Sequence, residues 1–244
     1  MKSSPPTALL RLGTVVAAGV WSGGLLSSVT GQPRWAELLQ PRRGHLLEVP
    51  RPDGMPLITR GMMEMSYTKH YSKVDVPPRS SDGSLPPHED LSSVRRSGAI
   101  ADVTSDPVDI TFTATTSASG SLLIGSSREF SGFTSEPDSD IVEAVMTRAT
   151  GFLPALAGVP LPQGDDVRVG LRPYAVGGLP LVGPVPGLPG FVVAAGHEGS
   201  GLCLGPATAR LVCQYLLGER VEGGLTIDRF KELLPAVRYS ELQS

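Results

Sequence analysis

The sequence lacks the residue patterns that mark several common kinds of catalytic or structural site. Its two cysteines, Cys203 and Cys213, and its four histidines have neither the spacing of a zinc site nor that of a disulfide framework. No HExxH motif, P-loop or ordered Ser-His-Asp pattern occurs. The net charge of −3 gives no basic surface for nucleic acid. These absences argue against metal-dependent, hydrolase, kinase and nucleic-acid-binding functions.

Long hydrophobic runs are also missing. The most apolar stretch, residues 12–26, is interrupted by glycines and is too short to cross a membrane. Lys2 and this stretch share features with a secretory signal, but Arg11 and the glycines favour a buried strand followed by a glycine turn. The cysteine spacing favours the cytoplasm or an organelle interior over secretion. We therefore predict neither a membrane partner nor a nucleic-acid partner.

Glycine and proline are abundant instead. The 29 glycines and 23 prolines make up about a fifth of the 244 residues, which predicts many turns and argues against a helical bundle. Hydrophobic residues recur with the period of strands in some segments and with the period of helices in others. This mixture predicts an α/β or α+β fold, arranged as one large domain or two small ones.

The local patterns place the individual elements. Strands are predicted at 14–20, 44–49, 56–67, 166–174 and 190–195, with a hairpin over 109–129. Helices are predicted at 136–152, at 206–217 and at 227–234. Residues 76–107 are rich in Ser, Pro, Asp and Arg and indicate a long loop or disordered insertion.

Three finer expectations follow from the same patterns. Strand 14–20 is short, apolar and bounded by glycines, which predicts burial on both faces. Ser135, with Asp138 three residues later, is expected to cap the helix at 136–152. Arg42 and Arg43 are expected to lie at a solvated edge.

The most informative stretch lies between residues 167 and 217. A strand carrying Arg172 is followed by a Gly/Pro-rich turn, the buried strand 190–195, and a glycine loop at 196–205 that opens into a helix. This order presents backbone N–H groups and the positive end of a helix to an electron-rich ligand group. A glycine-rich turn without a ligand is the alternative, since the spacing GxGxxxG is one residue longer than the dinucleotide-binding fingerprint.

Two side chains in this stretch are candidates for chemistry. Arg172 shares a strand face with Arg168 and Gly170, and a guanidinium can bind a carboxylate through two parallel hydrogen bonds. The alternative for Arg172 is a surface salt bridge. His197, next to the glycine loop, is either a base or a hydrogen-bonded structural histidine.

Three segments resemble one superfamily of flavoenzymes. Residues 170–212 resemble the C-terminal signature of the FAD-dependent D-amino acid oxidase / glycine oxidase superfamily; they are GLRPYAVGGLPLVGPVPGLPGFVVAAGHEGSGLCLGPATARLV. Residues 14–26, TVVAAGVWSGGLL, resemble its AAGxWS strand and turn. Residues 41–47, PRRGHLL, resemble its PxRGQ strand with His45 in place of Gln. The order and approximate spacing of the three segments agree with the superfamily.

The resemblance implies a two-part α/β fold with FAD as cofactor. Residues 1–40 and 166–244 would form an incomplete, Rossmann-like FAD-binding part. Residues 41–165, with the insertion at 76–107, would form an antiparallel substrate-domain sheet. Arg172 matches the arginine that binds the substrate carboxylate. The residues at cofactor-contacting positions are Gly19, Trp21, His197, Glu198, Gly199, Ser200, Gly201, Leu202 and Cys203. The helix predicted from Pro206 would direct its positive end at the flavin.

The implied reaction is oxidation of a small-molecule partner, an amino acid or a related amine. Hydride passes from the carbon that bears nitrogen to the flavin, and the resulting imine hydrolyses. FAD carries the redox chemistry while the protein supplies positioning and electrostatics. The absence of an evident acid–base pair is therefore no objection to this reaction.

The sequence departs from the superfamily pattern in two places. Members begin with a strand, a GxGxxG turn and a helix that bind the ADP part of FAD, whereas here thirteen residues precede the AAGxWS-like strand. The chain therefore resembles the C-terminal portion of such a protein. In addition, Glu198, Gly199 and Ser200 stand where glycine oxidase-like members often have a basic residue. The alternative function is a truncated, non-catalytic binding or assembly module that keeps the substrate-domain sheet but not FAD.

Overall fold

A computed structural model of the protein describes residues 13–65, 108–217 and 233–235. The chain divides into two compact units, one formed by Met1–Gln40 with Arg172–Ser244 and the other by Pro41–Leu171. Strands and helices occur in both units, so the predicted mixed α/β class is confirmed. The predicted insertion at 76–107 and most of the predicted helix at 227–234 lie outside the described residues.

The described residues form strands, α-helices and short 3-10 turns. The strands are β1 (Thr14–Val16), β2 (Leu39–Val49), β3 (Met62–Met63), β4 (Asp109–Thr116), β5 (Leu122–Arg128), β6 (Val167–Ala175), β7 (Leu181–Pro184) and β8 (Phe191–Ala195). The helices are α1 (Ser22–Thr30), α2 (Arg34–Leu38), α3 (Ser139–Phe152) and α4 (Gly201–Leu217). The 3-10 turns are Gly19–Trp21, Pro154–Leu156, Gly164–Asp166 and Glu198–Ser200.

The first unit contains a three-stranded sheet with the order β1-β8-β7. β1 pairs with β8 in parallel, with Val16 opposite Val193, whereas β7 pairs with β8 antiparallel. The central strand β8 consists of Phe, Val and Ala, and such a continuous apolar run suits a buried strand. The core of this unit is a cluster of buried apolar side chains: Leu26, Trp35, Leu38, Leu39, Ala175, Leu181, Val185, Val193 and Ala195.

The N-terminal strand is shorter and more exposed than predicted. It ends at Val16, and Gly19, with a φ of +59°, turns the chain into a 3-10 turn and then into α1. Since β1 is the outer strand of the described sheet, Val15 is 42% exposed rather than buried. The prediction of a fully buried strand over 14–20 is therefore wrong, because a glycine in the left-handed region ends the extended conformation early.

A five-stranded sheet with the order β3-β4-β5-β2-β6 belongs mainly to the second unit. The predicted hairpin is confirmed: β4 and β5 pair antiparallel, with Thr116 opposite Leu122. The predicted apolar stripe of α3 is buried with the hairpin in one cluster. That cluster consists of Leu47, Val49, Phe112, Ala114, Leu122, Ile124, Ile141, Val142, Val145, Met146, Ala149, Leu156 and Val167.

The α3 helix begins three residues later than predicted and has a different cap. Asp138, not Ser135, is the N-cap, and its carboxylate accepts hydrogen bonds from the backbone N–H groups of Asp140 and Ile141. The reason lies in Pro137, because proline disfavours the helical conformation of the residue before it. Glu136 therefore cannot continue a helix into Pro137, and the next residue with a suitable carboxylate takes the capping role.

The predicted solvated edge at Arg42 and Arg43 is also wrong for Arg43. β2 begins at Leu39 and runs between β5 and β6, so Arg43 is only 6% exposed. Its Nε donates to Glu129 Oε1 at 2.6 Å, and its Nη1 donates to the Glu136 carbonyl at 3.1 Å. A buried charge requires such partners, because an unpaired ion in a low-dielectric interior is strongly destabilising.

The buried His45 links β2 to β5 and to the start of α3. Its Nδ1 lies 2.9 Å from Ser127 Oγ, and its Nε2 accepts a hydrogen bond from the Asp138 N–H at 3.1 Å. Nε2 must be unprotonated to accept that bond, so the ring is neutral in this arrangement. His45 thus joins the helix cap to the sheet through hydrogen bonds at both ring nitrogens.

Two predicted strands have different bounds in the structure. Among the described residues of the predicted strand 56–67, Met62–Met63 form a strand, β3, that pairs with β4, and Gly61 immediately precedes it. The next residue, Glu64, is buried and accepts hydrogen bonds from the Phe112 N–H and from Arg148. β6 extends through Pro173 to Ala175, and its place at the edge of the sheet accommodates the missing N–H of proline.

We expect Gly23→Ala to destabilise the first unit. A Cβ at Gly23 would lie 2.6 Å from the backbone oxygen of Trp35, which belongs to α2 and cannot rotate away. The expected loss in the free energy of unfolding is about 1–3 kcal/mol. Gly24→Ala is the matched control, because a Cβ there meets no described atom within 4 Å and alanine favours a helix by about 0.5–1 kcal/mol. Urea denaturation compares the two variants, and equal stabilities would contradict the expectation.

Candidate functional site

Two of the predicted site segments leave the same edge of the first unit's sheet. β1 and β8 are parallel and in register at Val16 and Val193, so their carboxyl ends lie side by side. The 3-10 turn Gly19–Trp21 follows β1, and the glycine segment, which we define as residues 196–203, follows β8. In open α/β sheets, ligands bind outside the carboxyl ends of the parallel strands. This edge is therefore the candidate site.

The end of β6 meets the glycine segment at this edge. Tyr174 forms an antiparallel bridge with His197. Gly196 has a φ of +83°, and a Cβ there would lie 2.6 Å from the Cβ of Ala175. Both the backbone conformation and the close approach require glycine at position 196. The strand that carries Arg172 is thus joined directly to the start of the glycine segment.

Arg172 lies two residues before Tyr174 and therefore on the same strand face. It is half-buried, whereas Arg168 and Gly170, which precede it on that face, are exposed. Arg168 forms an ion pair with Glu48. The predicted alternation of β6 is present, since Val167 on the opposite face is buried.

The glycine segment is less of a loop than predicted. After Gly196 and His197 it forms the 3-10 turn Glu198–Ser200, which runs directly into α4 at Gly201. Gly201, Leu202 and Cys203 are therefore helical.

Pro206 lies inside α4 rather than in its first turn, so the prediction of a helix starting at Pro206 is wrong. The carbonyl that Pro206 leaves without an N–H partner belongs to Leu202, which is 97% exposed, so solvent can satisfy it.

The start of α4 is apolar and exposed, and it is the positive end of the helix. The side chains of Leu202, Cys203 and Leu204 are exposed, as is Gly199. The first N–H groups of a helix have no partner within it and carry partial positive charge. A surface of this kind suits a flat, electron-rich ring, which needs apolar contact on its face and donors at its edge. Across the same edge Trp21 is 58% exposed and Gly19 has open space where a side chain would be.

Glu198 is the exception in this apolar segment. It carries a negative charge in the turn before α4 and adopts a φ of +46°, which is uncommon for a residue with a side chain. The turn is closed by the Ser200 N–H, which donates to the His197 carbonyl at 2.9 Å. Glu198, Ser200 and Gly201 are half-buried.

His197 is held by its ring as well as by its backbone. The Nε2 atom lies 2.8 Å from the Thr208 Oγ1 on α4, and burial lowers the pKa of the ring. This geometry matches the hydrogen-bonded structural alternative for His197 better than the base. Nothing in the sequence pattern distinguishes Thr208 from the other small residues of α4, because the contact depends on where the 3-10 turn places the ring.

The residues that the structure describes contain no group of three or more His, Cys, Asp or Glu that could hold a metal ion. Both cysteines are free thiols on α4. No helix within the same residues has the length and apolar content needed to cross a membrane.

Comparison with known proteins identifies the family. The model of the FAD dependent oxidoreductase family, DAO, matches residues 7–215. The chain belongs to this family. The match includes both segments at the candidate edge and the strand that carries Arg172, and the family's enzymes are flavoproteins that use FAD.

Individual relatives agree with the family. A glycine oxidase from Pseudomonas aeruginosa is 39% identical over 99 residues, which cover 41% of this chain and 26% of that protein. A glycine oxidase from Bacillus subtilis is 32% identical over 103 residues, which cover 42% of this chain and 27% of that protein. The crystal structure of glycine oxidase from Geobacillus kaustophilus has the same fold, with a TM-score of 0.58 at 19% identity over 91% of this chain and 44% of that one. The chain thus matches about a quarter of its curated relatives' length and less than half of the solved structure.

We expect His197 to make the stability of the first unit depend on pH. Because burial lowers its pKa, the unfolded chain takes up a proton before the folded chain does as the pH falls. The stability is therefore fully present above about pH 6.5 and decreases as the pH falls toward the folded pKa. Urea denaturation between about pH 5 and pH 8 measures this slope. His197→Asn, which cannot titrate, should have the shallower slope, and identical slopes would contradict the expectation.

Proposed function

We propose that this protein takes part in the FAD-dependent oxidation of a small amino acid or a related amine, with Arg172 binding the substrate carboxylate. The observation that carries the proposal is the junction of β6 with the glycine segment. The Tyr174–His197 bridge and the close approach of Gly196 to Ala175 join the strand bearing Arg172 to the start of the apolar, donor-rich helix. This junction would hold an arginine that binds the substrate carboxylate next to a segment that contacts the cofactor.

The cofactor side of the proposal rests on the edge formed by β1 and β8. The residues that would contact FAD are Gly19, Trp21, His197, Glu198, Gly199, Ser200, Gly201, Leu202 and Cys203. The open space at Gly19 and the exposed Trp21 and Leu202 fit an aromatic ring system. When bound, FAD supplies the acceptor for hydride.

The chain's own contribution at this edge is electrostatic. The N–H groups at the start of α4 would stabilise negative charge on the ring edge that they face. The carboxylate of Glu198, at the start of the same segment, acts in the opposite direction. Because glycine oxidase-like members often have a basic residue in this part of the segment, we propose that substrate preference here differs from theirs.

The substrate side of the proposal rests on Arg172. A guanidinium binds a carboxylate through two parallel hydrogen bonds and so orients the neighbouring carbon as well as holding the molecule. The curated relatives are named glycine oxidases, which supports a small amino acid as substrate. Direct hydride transfer needs no side chain that removes a proton from carbon, so the hydrogen-bonded His197 is free of that role.

The two units suggest a division of labour. We assign cofactor binding to residues 1–40 and 166–244, and a substrate-domain role to residues 41–165. The compact units divide after Gln40 and after Leu171, which lies within β6. The antiparallel β3-β4-β5-β2 part of the sheet, covered by α3, would then form the substrate domain.

We expect the purified 244-residue chain to take up FAD and to show the visible absorption of a bound flavin. Anaerobic addition of glycine or another small amino acid should bleach that absorption, because hydride transfer reduces the flavin. Gel filtration before the spectrum removes free FAD and serves as the control. A folded chain that retains no flavin would contradict the proposal and favour a non-catalytic binding or assembly module.

We expect Arg172→Ala to raise the KM for a carboxylate substrate by about 10- to 100-fold, because hydrogen bonds to a charged group contribute about 1.5–3 kcal/mol. Arg172→Lys should restore part of the affinity, since lysine keeps the positive charge but cannot form the two parallel hydrogen bonds of a guanidinium. Arg168→Ala is the matched control, an exposed arginine on the same strand face. Kinetics of FAD-loaded protein give KM and kcat. An unchanged KM in Arg172→Ala would exclude the carboxylate-binding role.

A further inference from the structure

The hydrogen bond between His197 and Thr208 occupies an unusual place in the first unit. His197 bonds through its backbone to Tyr174 at the end of β6, and through its ring Nε2 to Thr208 Oγ1 on α4 at 2.8 Å. One residue therefore connects the strand that bears Arg172 with the helix that begins at Gly201. The two partners of the side-chain bond are eleven residues apart, so the bond spans the whole 3-10 turn between them.

The turn enclosed by this bond is not one that the backbone prefers. Glu198 has a φ of +46°, and a left-handed conformation is unfavourable for a residue with a side chain. Such a conformation persists only where the surrounding structure holds it. The Ser200–His197 backbone bond closes the turn on one side, and the Thr208 hydroxyl holds the His197 ring on the other.

The direction of the glycine segment depends on these restraints. Gly196 is fixed against Ala175 and Leu39, since a Cβ there would approach both closely. From that fixed point the chain reaches α4 in five residues, and the ring of His197 contacts the body of the helix through its hydrogen bond with Thr208. Loss of that bond would remove a restraint on the turn while leaving the strands intact.

We propose that Thr208 is a positioning residue for the cofactor: its hydroxyl fixes the His197 ring and thereby holds the Glu198–Ser200 turn and the first turn of α4 against the end of β6. This inference rests on the proposed FAD site. It adds a residue that touches neither cofactor nor substrate and acts through His197. It also implies that the proposed substrate-binding strand, β6, and the proposed cofactor-binding helix, α4, are coupled, because His197 bonds to both.

The test compares Thr208→Val, which keeps the shape but removes the hydroxyl, with Thr208→Ser, which keeps the hydroxyl. We expect Thr208→Val to weaken FAD binding by about tenfold and to shift the visible spectrum of the bound flavin. Thr208→Ser should remain within about twofold of the wild-type chain. Thr150→Val is the matched control, since Thr150 bonds the Met146 carbonyl on α3 in the second unit and should leave FAD binding unchanged.

A second measurement needs no cofactor. Amide hydrogen exchange over residues 198–202 of the FAD-free chain should become faster in Thr208→Val and return to the wild-type rate in Thr208→Ser. Should Thr208→Val fail to fold, Thr208→Ala carries the same two expectations.

The outcomes separate this inference from the proposed function. Wild-type uptake of FAD, with unchanged affinity, spectrum and exchange in Thr208→Val, would overturn the positioning role and leave the proposed function standing. A Thr208→Ser variant as impaired as Thr208→Val would also overturn it, because the hydroxyl would then not be the group that matters. A wild-type chain that binds no FAD would overturn both.

Discussion

The close approach of Gly196 to Ala175 is the constraint on which the candidate site depends. At this point the end of the buried strand β8 touches the end of β6, and a Cβ on residue 196 would overlap the Ala175 side chain. The left-handed φ of Gly196 then turns the chain away from the sheet. Without both properties the Tyr174–His197 bridge could not form, and Arg172 would not be tied to the glycine segment.

The parallel pairing of β1 with β8 adds the second half of the site. Because parallel strands end at the same edge, two segments far apart in sequence, one ending at Trp21 and one beginning at Gly196, lie at one place. Each carries a glycine in the left-handed region, and Gly19 has open space where a side chain would be. The site is thus built chiefly from backbone geometry and exposed apolar side chains, as suits a family whose redox chemistry belongs to its cofactor.

The second unit contains, beside its apolar core, polar groups that are buried and paired. Arg43 with Glu129, and Glu64 with Arg148, are hydrogen-bonded ion pairs with at least one largely buried partner. The hydrogen bond from Arg148 lowers the pKa of Glu64. Removing one member of a buried pair is far more destabilising than the pair is stabilising, so these groups specify how β2, β3 and α3 are placed.

The sequence by itself determined the elements whose cause is local. The hairpin of β4 and β5, the apolar stripe of α3 and the strand 191–195 all follow from hydrophobic period and turn residues that lie close together in the chain. The family, too, was recognisable from the motifs around Arg172 and Gly196. Such motifs are a property of the linear sequence and can be recognised without knowledge of the fold.

Tertiary structure alone decided the features that depend on distant partners. The α3 helix is capped by Asp138, whose N–H also bonds the buried His45 on β2. Arg43 is buried because β2 runs between two other strands, which its own sequence does not reveal. The Thr208 contact arises because a 3-10 turn carries the His197 ring onto α4. In each case the deciding contact joins residues on different elements, which no local period encodes.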